Sequence, residues 1–294
     1  PSEGIQRAGR PARVSCTLQN LGGQLAENVT ATLHVPAGVQ VLERARIILD
    51  EARNIRALAS HLQKAASGSL QVGTTHTQAR YVLPPVLAGL RGSYPEVGIG
   101  LVPGSSEELL ARLRAGQLDL VIISTSGDPP ADLVALPAYR WDRVVVVPRA
   151  HPLARETGAL TLAALAPWPL VTYEGAAGGT SSLARAFAAE ELVPRIALTA
   201  LDGDLLKTYV ADGLGVGVLA PMALEASDRD RFAVLDAAHL FPRCTTWILH
   251  GAGRVLPRFA DEFVQRFAPH LAPDAATPAA VPLWPAGAAR DHSR

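Results

Sequence analysis

Hydrophobic positions follow two periods in succession along the chain. From Pro36-Ala37-Gly38 onward, Val41, Ala45, Ile48, Ala52, Ile55, Ala59 and Leu62 recur in alternating steps of four and three, with Glu43, Arg44, Asp50, Glu51 and Arg53 off the stripe. An a/d stripe held over three heptads is the pattern of a helix that packs along a second helix. The plainer alternative is an amphipathic helix lying on its own domain. Alanine occupies three of the seven stripe positions, so the seam is weak alone and needs a globular partner. Before it, residues 1–35 are broken by Gly4, Gly9, Pro11, Gly22 and Gly23, which interrupt any long helix.

Past Ala65-Ala66-Ser67-Gly68 the period shortens. Residues 69–73 alternate as a strand, 79–91 place Leu83, Val86, Leu87 and Leu90 on one helical face, and 97–102 read as a second strand. A second helix spans 105–115, capped by Ser105 or Ser106 with Glu107 and Glu108 in its first turn. Residues 118–123 form an apolar strand of the buried parallel kind. Strand–helix–strand–helix–strand predicts a parallel sheet with right-handed crossovers. A second set follows, with strands at 143–147, 170–173, 196–200 and 216–221 and helices at 162–166, 181–191 and 205–212. Late strands at 232–235 and 246–250 and a closing helix at 258–270, with Phe259, Phe263 and Phe267 along one face, complete it. The Ala- and Pro-rich tail from Ala272 has little to bury and reads as disordered. The fold class is therefore α/β, with two βαβ lobes in sequence. Ligands in such sheets bind at the carboxyl ends of the strands, so the crevice between the lobes is the natural site.

Composition narrows this picture. Of 294 residues, 48% are hydrophobic and 18% charged, enough to build cores. Formal net charge is zero, so any DNA binding would come from a local patch. The two cysteines, Cys16 and Cys244, stand far apart in no metal-ligand spacing and fit a reducing cytoplasm; no metal and no cofactor is expected. The first residues carry no basic-then-apolar leader, so export is not expected.

Candidate chemistry gathers at strand ends. The first strand runs into Thr74-Thr75-His76-Thr77-Gln78 and then a helix, where free N–H groups and the helix dipole favour an anion. A threonine cap would explain one of these residues but not three with a glutamine. Ser124 and Thr125 add hydroxyls at the same sheet edge. In the second lobe the glycine-rich run from Glu174 to Ser181 could present N–H groups to a ligand. Enzymatic patterns are missing: no G-x-S-x-G, G-x-x-x-x-G-K-[ST] or H-E-x-x-H occurs, so no catalytic residue is assigned. Gly213-Leu214-Gly215-Val216-Gly217 precedes its strand, the wrong context for a dinucleotide loop. His151 suits a turn, Asp202 and Asp204 suit a helix cap, and Trp141 and Arg143 fall at a lobe hinge.

The run from Gly68 to Pro84, with Thr75-His76-Thr77-Gln78-Ala79-Arg80-Tyr81 at its centre, resembles the start of the effector domain in LysR-type transcriptional regulators of the CysB subgroup. Pro169-Leu170-Val171-Thr172-Tyr173, Lys207-Thr208-Tyr209-Val210 and Arg266-Phe267-Ala268-Pro269-His270-Leu271 match in order, and the similarity covers roughly residues 36–272. The resemblance implies a bacterial cytoplasmic homodimer or homotetramer with three working parts. A winged helix-turn-helix binds promoter DNA, a linker helix dimerises through the stripe above, and a two-lobed domain like a type 2 periplasmic binding protein senses a metabolite. RNA polymerase is a further expected partner. The subgroup governs sulfur assimilation and cysteine biosynthesis in response to acetylserine, sulfate or thiosulfate. Carried over by position, the effector contacts are Thr75, Thr77, Gln78 and Ser124, with Thr74 beside them. A family threonine in the second-lobe loop falls on Gly178, and Thr180 is the candidate substitute.

The resemblance divides the chain into an incomplete winged helix-turn-helix over 1–38, a linker helix over 39–67, an effector domain over 68–272 and a tail over 273–294. Lobe I takes about 68–139 plus 243–272, and lobe II about 140–242. Arg13, Ser15, Thr17 and Gln19 stand on a remnant of the recognition helix. A full winged helix-turn-helix needs roughly 60 residues before Pro36, so the chain as given is expected to bind operator DNA poorly. A stand-alone small-anion binding protein is the alternative function. A sulfur-metabolite transferase finds no nucleophile–base pair.

Overall fold

Period-two segments of the sequence become strands, and those of unit Ser60–Arg294 assemble into two five-stranded sheets. The first comprises β3 (Gly68–Thr74), β4 (Val97–Pro103), β5 (Leu120–Thr125), β6 (Leu133–Trp141) and β12 (Cys244–Gly251), in the order β4-β3-β5-β12-β6. β4, β3 and β5 run parallel, while β12 lies antiparallel to β5 and β6. The second comprises β7 (Val144–Pro148), β8 (Pro169–Tyr173), β9 (Arg195–Ala200), β10 (Val216–Leu219) and β11 (Phe232–Asp236), in the order β11-β7-β10-β8-β9. Its β9, β8 and β10 are parallel and its β7 antiparallel. The chain passes between sheets twice, from Trp141 to Val144 and from Asp236 to Cys244.

The computed structural model describes residues 12–18, 29–35, 47–49, 51–55, 57–58, 67–179, 181–272 and 281–284. Of the expected contacts, Gln19, Val41, Ala45, Ala59, Leu62 and Thr180 lie outside these residues.

Each sheet is covered on both faces, which is why its central strands are apolar throughout. In β5, Leu120 and Ile122 face one core, with Leu83 and Leu90 of helix Leu83–Ser93 and Phe259, Phe263 and Phe267 of helix Arg258–Phe267. Val121 and Ile123 face the opposite core, with Leu109 and Leu113 of helix Ser106–Arg114. The second sheet repeats the scheme. Val145, Val147 and Val218 meet Leu183 and Phe187 of helix Ser182–Ala189, whereas Val146 and Val171 meet Leu206 and Val210 of helix Gly203–Ala211.

Several expectations are corrected. Residues 12–18 and 29–35, in unit Pro1–Ala59, form an antiparallel ribbon, β1 (Ala12–Leu18) and β2 (Val29–Val35), with Ala12 opposite Val35 and Leu18 opposite Val29. Arg13, Ser15 and Thr17 therefore stand on a strand rather than on a recognition-helix remnant. They alternate with Val14, Cys16 and Leu18, a period of two that suits a strand. In the same unit, residues 47–49, 51–55 and 57–58 are helical, and Ile48 and Ile55 are exposed. The helix expected from residue 79 opens instead as a π-helical turn, Gln78–Val82, before helix Leu83–Ser93. Pro84 and Pro85 have no N–H to give the preceding turn, and their rings crowd its carbonyls. β6 was not anticipated, because Pro137 interrupts its run; the proline sits on an edge strand where the register with β12 shifts at Thr246/Trp247. Finally, Leu283, in the tail expected to be disordered, makes a parallel bridge to Arg140 of β6, and Trp284 gives that tail an aromatic ring to pack on Tyr139, while Leu283 itself stays exposed.

Candidate functional site

The carboxyl ends of all six parallel strands open on one cleft of about 930 Å³ between the sheets. Thr75 follows β3, Ser105 follows β4 and Ser124 and Thr125 end β5, while Tyr173 ends β8, Leu201 follows β9 and Ala220 follows β10. That is where an α/β sheet leaves backbone and side-chain donors free for a ligand.

The first-sheet wall carries a row of neutral donors, with the carboxylates of Glu107 and Asp128 exposed at its rim. Thr75, Thr77, Gln78 and Ser124 all line the cleft. Thr77 stands at the start of the π-helical turn, yet its side chain makes no capping bond, so the threonines here are not a helix cap. Gln78 is 1% exposed, and its Oε1 accepts a hydrogen bond from the Tyr139 hydroxyl. That bond leaves Nε2 as the amide's donor on the cleft side. Ser124 Oγ lies 2.8 Å from Thr246 Oγ1, which also accepts from Trp141 Nε1 at 3.2 Å. The indole can only donate, so Thr246 can give its own proton to Ser124 and leave the serine proton for the cleft. Thr74 is fully buried behind this wall, its hydroxyl donating to the Thr75 carbonyl at 3.4 Å, and is not a cleft residue.

The second-sheet wall brings the arginines, Arg143 and Arg185. Arg143 donates to Ser182 Oγ at 2.8 Å and to the Pro242 carbonyl at 3.2 Å, and its guanidinium lies 5.7 Å from the Phe241 ring. Arg185 and Glu174 are exposed on the same wall. Among the described residues neither arginine pairs with a carboxylate. Ser181 caps helix Ser182–Ala189 by accepting from Ala184 N–H at 3.1 Å. Gly178 does not line the cleft; its carbonyl accepts from Ser181 N–H at 2.8 Å, so it shapes the loop instead.

A polar cluster ties the two lobes together next to the π-helical turn. Tyr81 donates to Asp204 Oδ1 at 2.5 Å, and Arg80 pairs with Asp204 Oδ2. Lys207 reaches Asp204 at 3.0 Å and Asp228 at 2.7 Å, with both Lys207 and Asp228 buried. Burial alone would raise the Asp204 pKa, but hydrogen bonds from Tyr81 and Lys207, with the charges of Lys207 and Arg80, hold it below the ordinary carboxylate value. Burial pushes the Tyr81 and Tyr139 hydroxyls well up, so both remain donors.

Other expectations resolve locally. His151 Nδ1 accepts from Leu153 N–H at 3.2 Å and its ring meets Trp168, a turn role. Asp202 caps helix Gly203–Ala211 by accepting from the Asp204 and Leu205 N–H groups. Gly213 has φ +79° just past that helix, and a Cβ on Gly215 would meet the Pro169 carbonyl at 2.3 Å, so these glycines serve packing. Among the described residues no group of His, Cys, Asp and Glu could hold a metal, and no helix is long and apolar enough to cross a membrane. Tyr139, Thr246 and Arg185 were not legible as site residues, because only tertiary packing brings them beside the threonines.

Comparison with known proteins gives the same picture. The model described as LysR substrate binding domain matches residues 63–272. The "HTH-type transcriptional regulator cbl" of Klebsiella aerogenes is 41% identical over 230 residues, covering 78% of this chain and 72% of that one. The regulator CysB of Haemophilus influenzae is 39% identical over 230 residues, covering 78% and 71%. Among solved structures, the cofactor-binding domain of the Cbl transcriptional regulator superposes with a TM-score of 0.64 at 38% identity, over 70% of this chain and 90% of that one. The two sheets, the cleft and these relatives agree: the chain belongs to the LysR-type transcriptional regulators and is a CysB-like member of that family.

Proposed function

We propose that the cleft is the sensor of a cytoplasmic regulator of sulfur assimilation and cysteine biosynthesis genes, and that it takes a small polar or anionic metabolite such as acetylserine, sulfate or thiosulfate. The observation that carries this is the convergence of Thr75, Thr77, Gln78 and Ser124 on one wall, with no threonine side chain spent on capping. Neutral donors held by a second layer of hydrogen bonds suit an anion, because each contact strengthens against charge without a counter-charge to desolvate. Gly178, set back from the cleft, and Thr180 are secondary candidates that shape or reach the second wall. The exposed Ile48 and Ile55 support pairing of the linker helix, through Val41, Ala45, Ile48, Ala52, Ile55, Ala59 and Leu62, in a homodimer or homotetramer. Promoter DNA and RNA polymerase complete the proposed partners.

The test is a thermal-shift panel with sulfate, thiosulfate, O-acetylserine, N-acetylserine and nitrate. A ligand at about 100 times its dissociation constant adds roughly 2.7 kcal/mol and raises the melting point by several degrees. A selective shift from a sulfur compound that disappears in Thr75→Ala is the expected result. Equal shifts from nitrate, or none from any compound, would refute the sulfur assignment.

A further inference from the structure

The chain's own tail pairs with the outer edge of the first sheet at one residue, Arg140. β6 is the last strand of its sheet, and an edge strand presents unpaired N–H and C=O groups. Here Arg140 N–H donates to the Pro282 carbonyl at 2.8 Å, and Trp284 N–H donates to the Arg140 carbonyl at 2.6 Å. Leu283 bridges Arg140 in the parallel sense. The pattern is strand addition, in which main-chain bonds supply affinity and alternate side chains supply position.

The side chain so positioned is Trp284. Its ring centroid lies 4.9 Å from that of Tyr139, and Phe267 meets the same tyrosine at 5.9 Å. Tyr139 donates to Gln78 Oε1 and thereby sets which end of that amide faces the cleft. A continuous path therefore runs from tail to cleft: main chain on β6, ring on ring, hydroxyl to amide.

We propose that residues 281–284 are a strap that positions Gln78, with Trp284 and Tyr139 as positioning residues for effector binding. The strap rests on the reading that an anion binds beside Gln78. Aromatic pairs are worth about 0.5–1.5 kcal/mol beyond their buried area, so losing the Trp284 ring is expected to weaken binding about two- to tenfold.

The experiment compares the full chain with Trp284→Ala, Trp284→Phe and Tyr139→Phe. Amide hydrogen exchange is followed without ligand, and sulfate and O-acetylserine are titrated separately. In Trp284→Ala, exchange over residues 76–82 should speed up while β8 and β10 stay as in the parent. Whichever probe the parent binds should bind two- to tenfold more weakly. Trp284→Phe should restore both readouts, and Tyr139→Phe, which keeps the ring and loses the hydroxyl, should weaken binding alike. Parent-like exchange over 76–82 in Trp284→Ala would overturn the strap, as would faster exchange spread evenly over both lobes or no rescue by phenylalanine. If neither probe binds the parent, the anion reading fails, and the exchange contrast over 76–82 still decides the strap.

Discussion

The two walls of the cleft are built on opposite principles. The first-sheet wall sets neutral donors in front of two exposed carboxylates, Glu107 and Asp128, and ties two of those donors down: Gln78 is held by Tyr139, and Ser124 by Thr246, itself held by Trp141. The second-sheet wall carries Arg143, held by Ser182 and the Pro242 carbonyl, and the exposed Arg185 and Glu174. Fixed neutral donors read hydrogen-bond geometry, whereas an exposed charge such as that of Arg185 reads net charge at a distance and is screened by salt. Recognition therefore falls to the tied-down donors of the first wall, Asp204 with Arg80 and Tyr81 links the lobes, and Lys207 with Asp228 holds lobe II.

The largest effect is expected at the buried pair of lobe II. Lys207→Ala leaves Asp228 buried without its partner, and such a loss typically costs about 3–5 kcal/mol. Urea denaturation should show it as a large fall in midpoint; a fall under about 1 kcal/mol would mean that the pair does not hold lobe II. Next comes the neutral wall. Gln78→Ala should remove a hydrogen bond to a charged ligand, worth about 1.5–3 kcal/mol, which calorimetric titration would read as roughly ten- to hundredfold weaker binding.

Acid should loosen the tie between lobes before it touches the neutral wall. Asp204 has its pKa held below the ordinary 3.8, so the folded state binds that proton less tightly than the unfolded chain does. Its stabilisation is present at neutral pH and is lost as pH falls through the lowered value. Asp204→Asn should flatten the stability–pH profile below about pH 4, relative to the parent. An unchanged profile would remove Asp204 from the tie. The smallest effect is expected at Arg185→Ala: an exposed arginine with no ion pair among the described residues should change stability by less than about 0.5 kcal/mol. Its influence on binding should fade as salt is raised, while that of Gln78→Ala should persist.

Much of the parallel core was legible in the sequence, because β5, β8 and β10 are short, largely apolar runs and β3 alternates, each flanked by helical periods. The cleft threonines were legible for the same reason, since a strand end running into a helix start marks a ligand position from one stretch of chain. What was not legible depends on distant segments meeting. Tyr139 and Thr246 support Gln78 and Ser124 across 61 and 122 residues of sequence. β6 was hidden by Pro137, which an edge strand tolerates at a bulge and a central strand would not. The ribbon of residues 12–18 was read against a helical expectation, although its alternation of Val14, Cys16 and Leu18 with polar residues already favoured a strand.

The most direct measurement is a crystal structure grown with the compound that gives the largest thermal shift. The account predicts that compound in the cleft, within hydrogen-bond reach of Thr75, Thr77, Gln78 Nε2 and Ser124, with Arg185 no closer than a screened charge. A ligand held instead by Arg143 and Arg185, with the first wall untouched, would contradict it.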